Sequence, residues 1–183
     1  MFSHIYKFLR YIIMENITDI KHIDLFNDQY ENLDTNDPIP YPSILIEIEP
    51  DLEFEQYQSK LQIAQITVHL YLATEFASGL RSNDSKIDQS LEHLSLVDRV
   101  FKYIEGKSNN NLPDDLKSDI YEIGALHRST VQFLPNYNNV KITKTSFVFR
   151  FADASAYPKY ETTLLKEIEV NGEYLETFHK KTI

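Results

Sequence analysis

Between Val140 and Asp153 the side chains alternate without a break. Thr143, Thr145, Phe147, Phe149 and Phe151 fall on one side; Ile142, Lys144, Ser146, Val148 and Arg150 fall on the other. Successive side chains of a strand point to opposite faces, so a period of two predicts one long strand with an aromatic, buried face. Such a face has to be covered by a second layer. A companion strand is predicted over Leu61–Thr74, with Ile66, Val68, Leu70 and Leu72 on one face and Thr67, His69 and Tyr71 on the other. Ile63 is out of phase with the apolar set, which predicts a bulge near Ala64–Gln65.

The covering layer is helical. Ile87, Leu91, Leu94, Val97, Phe101 and Ile104 recur at three- and four-residue steps, and Gly106 follows as a stop signal, which predicts a helix over Ile87–Glu105. Ile5, Phe8, Leu9, Ile12 and Ile13 make one apolar face of an N-terminal helix. That helix can dock on its own chain, on a neighbouring subunit, or at a membrane interface. It is too short to span a bilayer, is broken by Lys7 and Arg10, and lacks a small-residue cleavage site, so it does not read as a signal peptide.

Shorter elements fill the rest. Ile20–Phe26 reads as an extended segment and Asn27–Asp37 as an acidic loop. Pro38, Pro40 and Pro42 hold the next stretch extended. Ser43–Glu49 then reads as a strand, with Ile44, Ile46 and Ile48 opposite Leu45, Glu47 and Glu49. Pro50–Lys60 reads as a polar connection and Gly106–Ser118 as a surface loop. Ile120–Phe133 reads as a strand kinked at Gly124, and Leu134–Asn139 as a turn. Asn171-Gly172 between Glu167–Val170 and Glu173–Glu176 is a hairpin signal. A lone hairpin is marginal in water, so it needs its own domain or a neighbouring subunit to lean on. The expected organisation is an N-terminal helix (1–16), an α+β core domain (17–155) and a C-terminal hairpin arm (156–183). In the core, a mostly antiparallel sheet carries a central helix packed on one face.

Composition narrows the chemistry. The 183 residues include no cysteine, which removes disulfides, cysteine zinc sites and thiol nucleophiles together. The four glycines, Gly79, Gly106, Gly124 and Gly172, stand far apart, so no glycine-rich phosphate cradle can form. A net charge of −10 disfavours tight binding to a phosphate backbone.

Catalytic candidates are weak. No two of His4, His22, His69, His93, His127 and His179 stand at the spacing of a helical metal pair. His69 is the best base or metal candidate, set against a structural or solvent-facing role. His127 with Arg128 suits an anion or simply a strand surface. Glu47 and Glu49 share one strand face and read as solvated. Asp114-Asp115 and Asp34 with Asp37 read as loop solvation, since neither has the spacing of a calcium loop. No serine stands in a nucleophile elbow. The reading is of a protein without enzymatic activity, cofactor or metal. Tyr30, Tyr41, Tyr57, Tyr137, Tyr157, Tyr160 and Tyr174 fall in loops or terminal segments. A tyrosine ring is apolar and its hydroxyl polar, which suits a protein or sugar surface.

The succession IDLFNDQYEN from Ile23, PIPYPSILIEIE from Pro38, QITVHLYLATE from Gln65, SLEHLSLVDRVFKYIEG from Ser90 and SFVFRFAD from Ser146 resembles the small tail-terminator or tail-completion proteins of long-tailed phages and prophages. The resemblance covers about Ile20–Asp153. It implies an α+β domain assembled into a hexameric ring that caps the tail tube, joins it to the head-side connector and lets DNA pass without gripping it. It implies no enzymatic activity, and a place in the virion after assembly in the host cytoplasm. The N-terminal helix and C-terminal hairpin depart from the pattern and leave another neck, connector or baseplate adaptor open. A small-ligand or carbohydrate-binding module is the reading of another class. In the ring, Asp28, Tyr30, Glu31, Asp34, Tyr157, Tyr160 and Tyr174 are expected at subunit contacts, and acidic side chains along the channel.

Overall fold

The structure is a computed structural model. It describes residues 1–30, 39–49, 53–58, 60–75, 84–135 and 139–156. It also gives the backbone pairing of 160–164, 168–170, 173–175 and 178–182. Among these residues the chain is α+β, with two α-helices and a mostly antiparallel seven-stranded sheet.

The two long alternating segments form the centre. Strands β1 (His22–Leu25), β2 (Ser43–Ile48), β3 (Phe54–Gln58), β4 (Leu61–Glu75), β5 (Tyr121–Ile123), β6 (His127–Phe133) and β7 (Val140–Asp153) make one sheet. Its order is β1-β2-β4-β7-β5, with β3 also on β4 and β6 also on β7. β4 and β7 pair antiparallel from Gln62↔Asp153 to Glu75↔Val140 without a register shift. The bulge expected near Ala64–Gln65 is therefore absent. Ala64 belongs to the buried set with Ile66, Val68, Leu70 and Leu72, and Ile63 simply points to the other face. The irregularities lie in the partners instead, between Gln56 and Gln58 of β3 and between Arg128 and Thr130 of β6. β3 itself falls where a polar connection was expected.

Both helices, α1 (Phe2–Asn16) and α2 (Asp84–Ile104), cover the same face. Ile5, Phe8, Leu9, Ile12 and Ile13 of α1 join Leu96, Val97, Val100 and Ile104 of α2 in one cluster with Ile44, Ile46, Ile66, Val68, Phe147, Phe149 and Phe151. The N-terminal helix thus docks on its own chain. Each large side chain buried there contributes about 1.5–3 kcal/mol of transfer free energy. A smaller cluster sits on the opposite face, where Tyr30, Leu45, Tyr71, Ala73, Val140 and Ile142 meet Phe26 and Tyr41. Phe26 stacks on Tyr71 with ring centres 4.1 Å apart.

Two glycines set the turns beside the sheet. Gly106 ends α2 at φ +74°, in the left-handed region, and its N–H donates to the Leu126 carbonyl. Gly124 separates β5 from β6, and its N–H donates to the Arg150 carbonyl at 2.8 Å. A Cβ there would stand 2.9 Å from that same oxygen. Gly124→Ala is expected to cost about 1–3 kcal/mol, read as a lowered melting temperature; an unchanged melt would mean that β5 and β7 part at no cost. Past the sheet, β8 (Tyr160–Leu164) pairs antiparallel with β11 (Phe178–Thr182), and β9 (Ile168–Val170) with β10 (Glu173–Leu175).

Candidate functional site

Three places gather side chains that chemistry or binding could use. The first is the sheet face away from the helices. Pairing sets Glu47 opposite His69, His69 opposite Ser146, and Ser146 opposite Thr130. His69 Nε2 lies 3.3 Å from Glu49 Oε1, and its Nδ1 lies 2.8 Å from Ser146 Oγ. The Thr130 hydroxyl donates to Ser146 Oγ at 2.9 Å. Beside this chain, the Tyr71 hydroxyl donates to Glu47 at 2.6 Å, and Lys144 Nζ stands 3.5 Å from the same carboxylate. Glu47 and Glu49 are therefore engaged by cross-strand donors rather than merely solvated.

Burial, with the Lys144 ammonium adding to it, holds the His69 imidazole below its ordinary value against the pull of Glu47 and Glu49. A carboxylate, an imidazole and a serine hydroxyl in series have the connectivity of an activated nucleophile. Ser146 is buried, however, and its oxygen is already occupied by Thr130 and His69. The series reads as a satisfied polar network locking β2, β4, β7 and β6 together.

The second place is a polar cleft of about 540 Å³ between α2 and the start of the sheet. It is lined by Lys21, Tyr41, Glu75, Glu92, His93 and Arg99, among others. His93 is buried at its floor, with Nδ1 2.7 Å from Thr74 Oγ1 and Nε2 2.7 Å from Thr143 Oγ1. Burial, reinforced by Lys141, pushes its pKa down to about 4, so the ring is neutral at pH 7. The Tyr41 hydroxyl is buried at the cleft without a hydrogen-bond partner among the described residues. Arg99 and Asp19 form an ion pair at the rim.

The third place is mixed, with Leu94, Val97, Val131 and Phe133 set among Asp98, Arg128, Ser129 and Thr130. Among the described residues β6 pairs with β7 alone, and all seven residues of β6 are exposed. Arg128, Val131 and Phe133 stand on the helix side of the sheet, and between them and α2 runs a groove of about 450 Å³ reaching Leu94 and Val97. Phe133 is 62% exposed, Leu94 42% and Leu91 54%. The Arg128 guanidinium lies on the Phe101 ring, 3.5 Å from its centre. His127 and the Arg128 backbone both turn to Glu105, at 3.0 and 2.9 Å, which makes this pair part of a strand surface.

Leu91 and Leu94 were expected in the core. Val97 and Ile104 of the expected set are buried, and His93, Leu96 and Val100 join them in place of Leu91 and Leu94. The apolar stripe of α2 is wider than the face the sheet can cover, and its outer part is left over. That second stripe was present in the sequence, but a histidine in it lowered its apparent hydrophobicity.

Of the residues expected at subunit contacts, two are described with their side chains. Tyr30 is buried within the chain, where its hydroxyl donates to the Tyr71 carbonyl at 3.2 Å and meets Ser43. Burial raises its pKa. It anchors the loop rather than extending from it. Asp28 is exposed, with φ at +52°. Glu31, Asp34 and Tyr157 lie outside the described residues; Tyr160 and Tyr174 are placed only as backbone, in β8 and β10.

Among the described residues no three His, Asp or Glu side chains gather as metal ligands, and no helix is long and apolar enough to cross a membrane. No protein-family model matches the chain, and no curated protein matches it.

Proposed function

We propose that this chain is a structural subunit of a ring, six-fold in the reading taken from the sequence, that ends a phage tail tube and joins it to the head-side connector. The observation that carries the assembly part of this reading is the groove between α2 and the edge strand β6, where Leu94, Val131 and Phe133 are exposed among the described residues. Contiguous exposed apolar surface beside an unpaired strand edge marks a protein-binding face. The tail-tube part rests on the resemblance carried by the Ile20–Asp153 succession. The net charge of −10 suits a channel through which DNA slides without being held. In this reading α2 is the central helix of each subunit, and the C-terminal segment is a hairpin arm reaching a neighbour. The ring acts without a cofactor, in the virion, on the tail-tube and connector proteins. A different neck or baseplate adaptor would use the same surface.

A second reading is favoured by one observation. The polar cleft at His93, with the unsatisfied Tyr41 hydroxyl, is the kind of concavity that takes a small polar ligand or a sugar. The test is electron microscopy and light scattering of the purified chain, alone and mixed with the tube protein from neighbouring genes. Rings seated on tube ends are expected, and removal of 156–183 should leave a folded core with weakened assembly. A monomer that ignores the tube protein and binds oligosaccharide would overturn the ring in favour of the module.

A further inference from the structure

Pairing alone fixes where the open edges of the sheet lie. β7 occupies one side of β4 along its whole length, so β3 must lie on the other side, with β2. β4 likewise occupies one side of β7, so β6 lies on the opposite flank. β3 and β6 are therefore edge strands on opposite flanks of one sheet, and neither pairs with a second strand among the described residues. Phe54 to Tyr57 of β3 are all exposed, as are all seven residues of β6. Neither strand contains proline or lysine, two of the usual guards of an open edge, and the irregularity each carries, at Gln56–Gln58 and at Arg128–Thr130, leaves Phe54–Gln56 and Val131–Phe133 in regular register.

The two edges also match in chemistry. Phe54 pairs opposite Ala64 and so stands on the helix side of the sheet, the side on which Val131 and Phe133 flank the groove to α2. A Phe54 ring brought beside β6 would continue that apolar row and fill the groove at Leu94. The β3 edge is acidic, with Glu53 and Glu55; the β6 edge begins with His127 and Arg128. With Phe54 opposite Val131 or Phe133, antiparallel or parallel, Glu53 and Glu55 fall beside the uncharged Thr130, Gln132 and Leu134, whereas β3 against β3 would set like charges together.

We propose that β3 of one copy adds to the free edge of β6 of the next, extending the sheet from subunit to subunit, with Phe54 as the apolar anchor in the α2–β6 groove. The partner is a second copy of this chain. Because the two edges differ, the contact is heterologous and propagates head to tail, which closes a ring when the rotation permits. The inference deepens the ring reading by naming its mating surfaces; it does not depend on what the ring caps.

The absence of cysteine gives a clean test. Facing positions on paired strands bring Cα atoms to about 4.5–5.5 Å, within reach of a disulfide. Glu55→Cys is combined in turn with Thr130→Cys and with Gln132→Cys in the full chain, which keeps the Phe54 anchor and is then oxidised and run without reductant. A ladder of covalent dimers, trimers and higher species is expected from at least one double variant, and monomer alone from each single variant. Crosslinking of Thr130→Cys or Gln132→Cys alone would reveal a twofold β6–β6 contact and overturn the proposal. A wild-type ring by light scattering without any ladder would overturn it too, while leaving the ring reading in place. A ladder without tail-tube binding would keep the proposal and remove only the tail-tube part of the proposed function. As an independent measure, Phe54→Asp and Phe133→Asp, both at exposed positions, should each weaken self-association by about thirtyfold or more while leaving the circular dichroism spectrum unchanged. A monomer at every concentration, with no ladder, also refutes it.

Discussion

Phe147→Ala is expected to remove about 3–5 kcal/mol of stability, most of the total for a chain at the low end of the ordinary range of about 5–15 kcal/mol. Phe147 is fully buried on β7, opposite Val68 of β4, in the cluster shared by both helices. Truncation opens a cavity between layers that the rigid β4–β7 pairing prevents from collapsing. The measurement is the urea midpoint, set against Arg150→Ala on the exposed face of the same strand. Arg150→Ala should cost under about 1 kcal/mol. A loss from Phe147→Ala no larger than that would mean the aromatic face is not the core.

Acidification from pH 7 to pH 4 should destabilise the fold, and His93 alone accounts for about 3 kcal/mol of that loss, since its pKa falls from 6.5 when unfolded to about 4 when folded. The unfolded chain binds the proton first. Stability is therefore independent of His93 above about pH 6.5, falls as pH drops towards 4, and levels off below it. Burial lowers His4 and His69 in the same direction, so the pH slope of His93→Gln relative to wild type isolates the cleft histidine. Thermal melts of both proteins across this range give the slope. Equal slopes would show that the Thr74–His93–Thr143 bridge does not hold the ring neutral.

Much of the fold was legible because its long strands alternate strictly. Val140–Asp153 and Leu61–Glu75 each bury one apolar side, and that pattern fixes a strand without help from tertiary context. β3 was hidden because Phe54, Glu55, Gln56 and Tyr57 are all exposed and give no alternation of buried and open sides; it is a strand because β4 overruns β2 and offers it an edge. The phase of α2 was ambiguous because two apolar stripes overlap on it, and the sheet chose the one containing His93. The polar network was half visible. Alternation put Glu47, Glu49, His69 and Ser146 on the second face, but only the register between β2, β4 and β7 brings them into contact. The groove could not be read at all, since Leu94 and Val131 meet only through the packing of a helix against a distant strand.

During synthesis β4 leaves the ribosome well before its partner. Until 140–153 have been made, one whole edge of β4 offers bare N–H and C=O groups along the stretch that β7 later covers. The apolar faces of α1 and α2 meanwhile lack the aromatic strand that completes their shared cluster. Contacts between segments so far apart in sequence form late, and open strand edges next to uncovered apolar surface are where nascent chains aggregate. The interval between the emergence of Glu75 and that of Val140 is accordingly when this chain most needs a chaperone, and slowed translation within it would lower the yield of folded subunits more than slowing anywhere after Asp153.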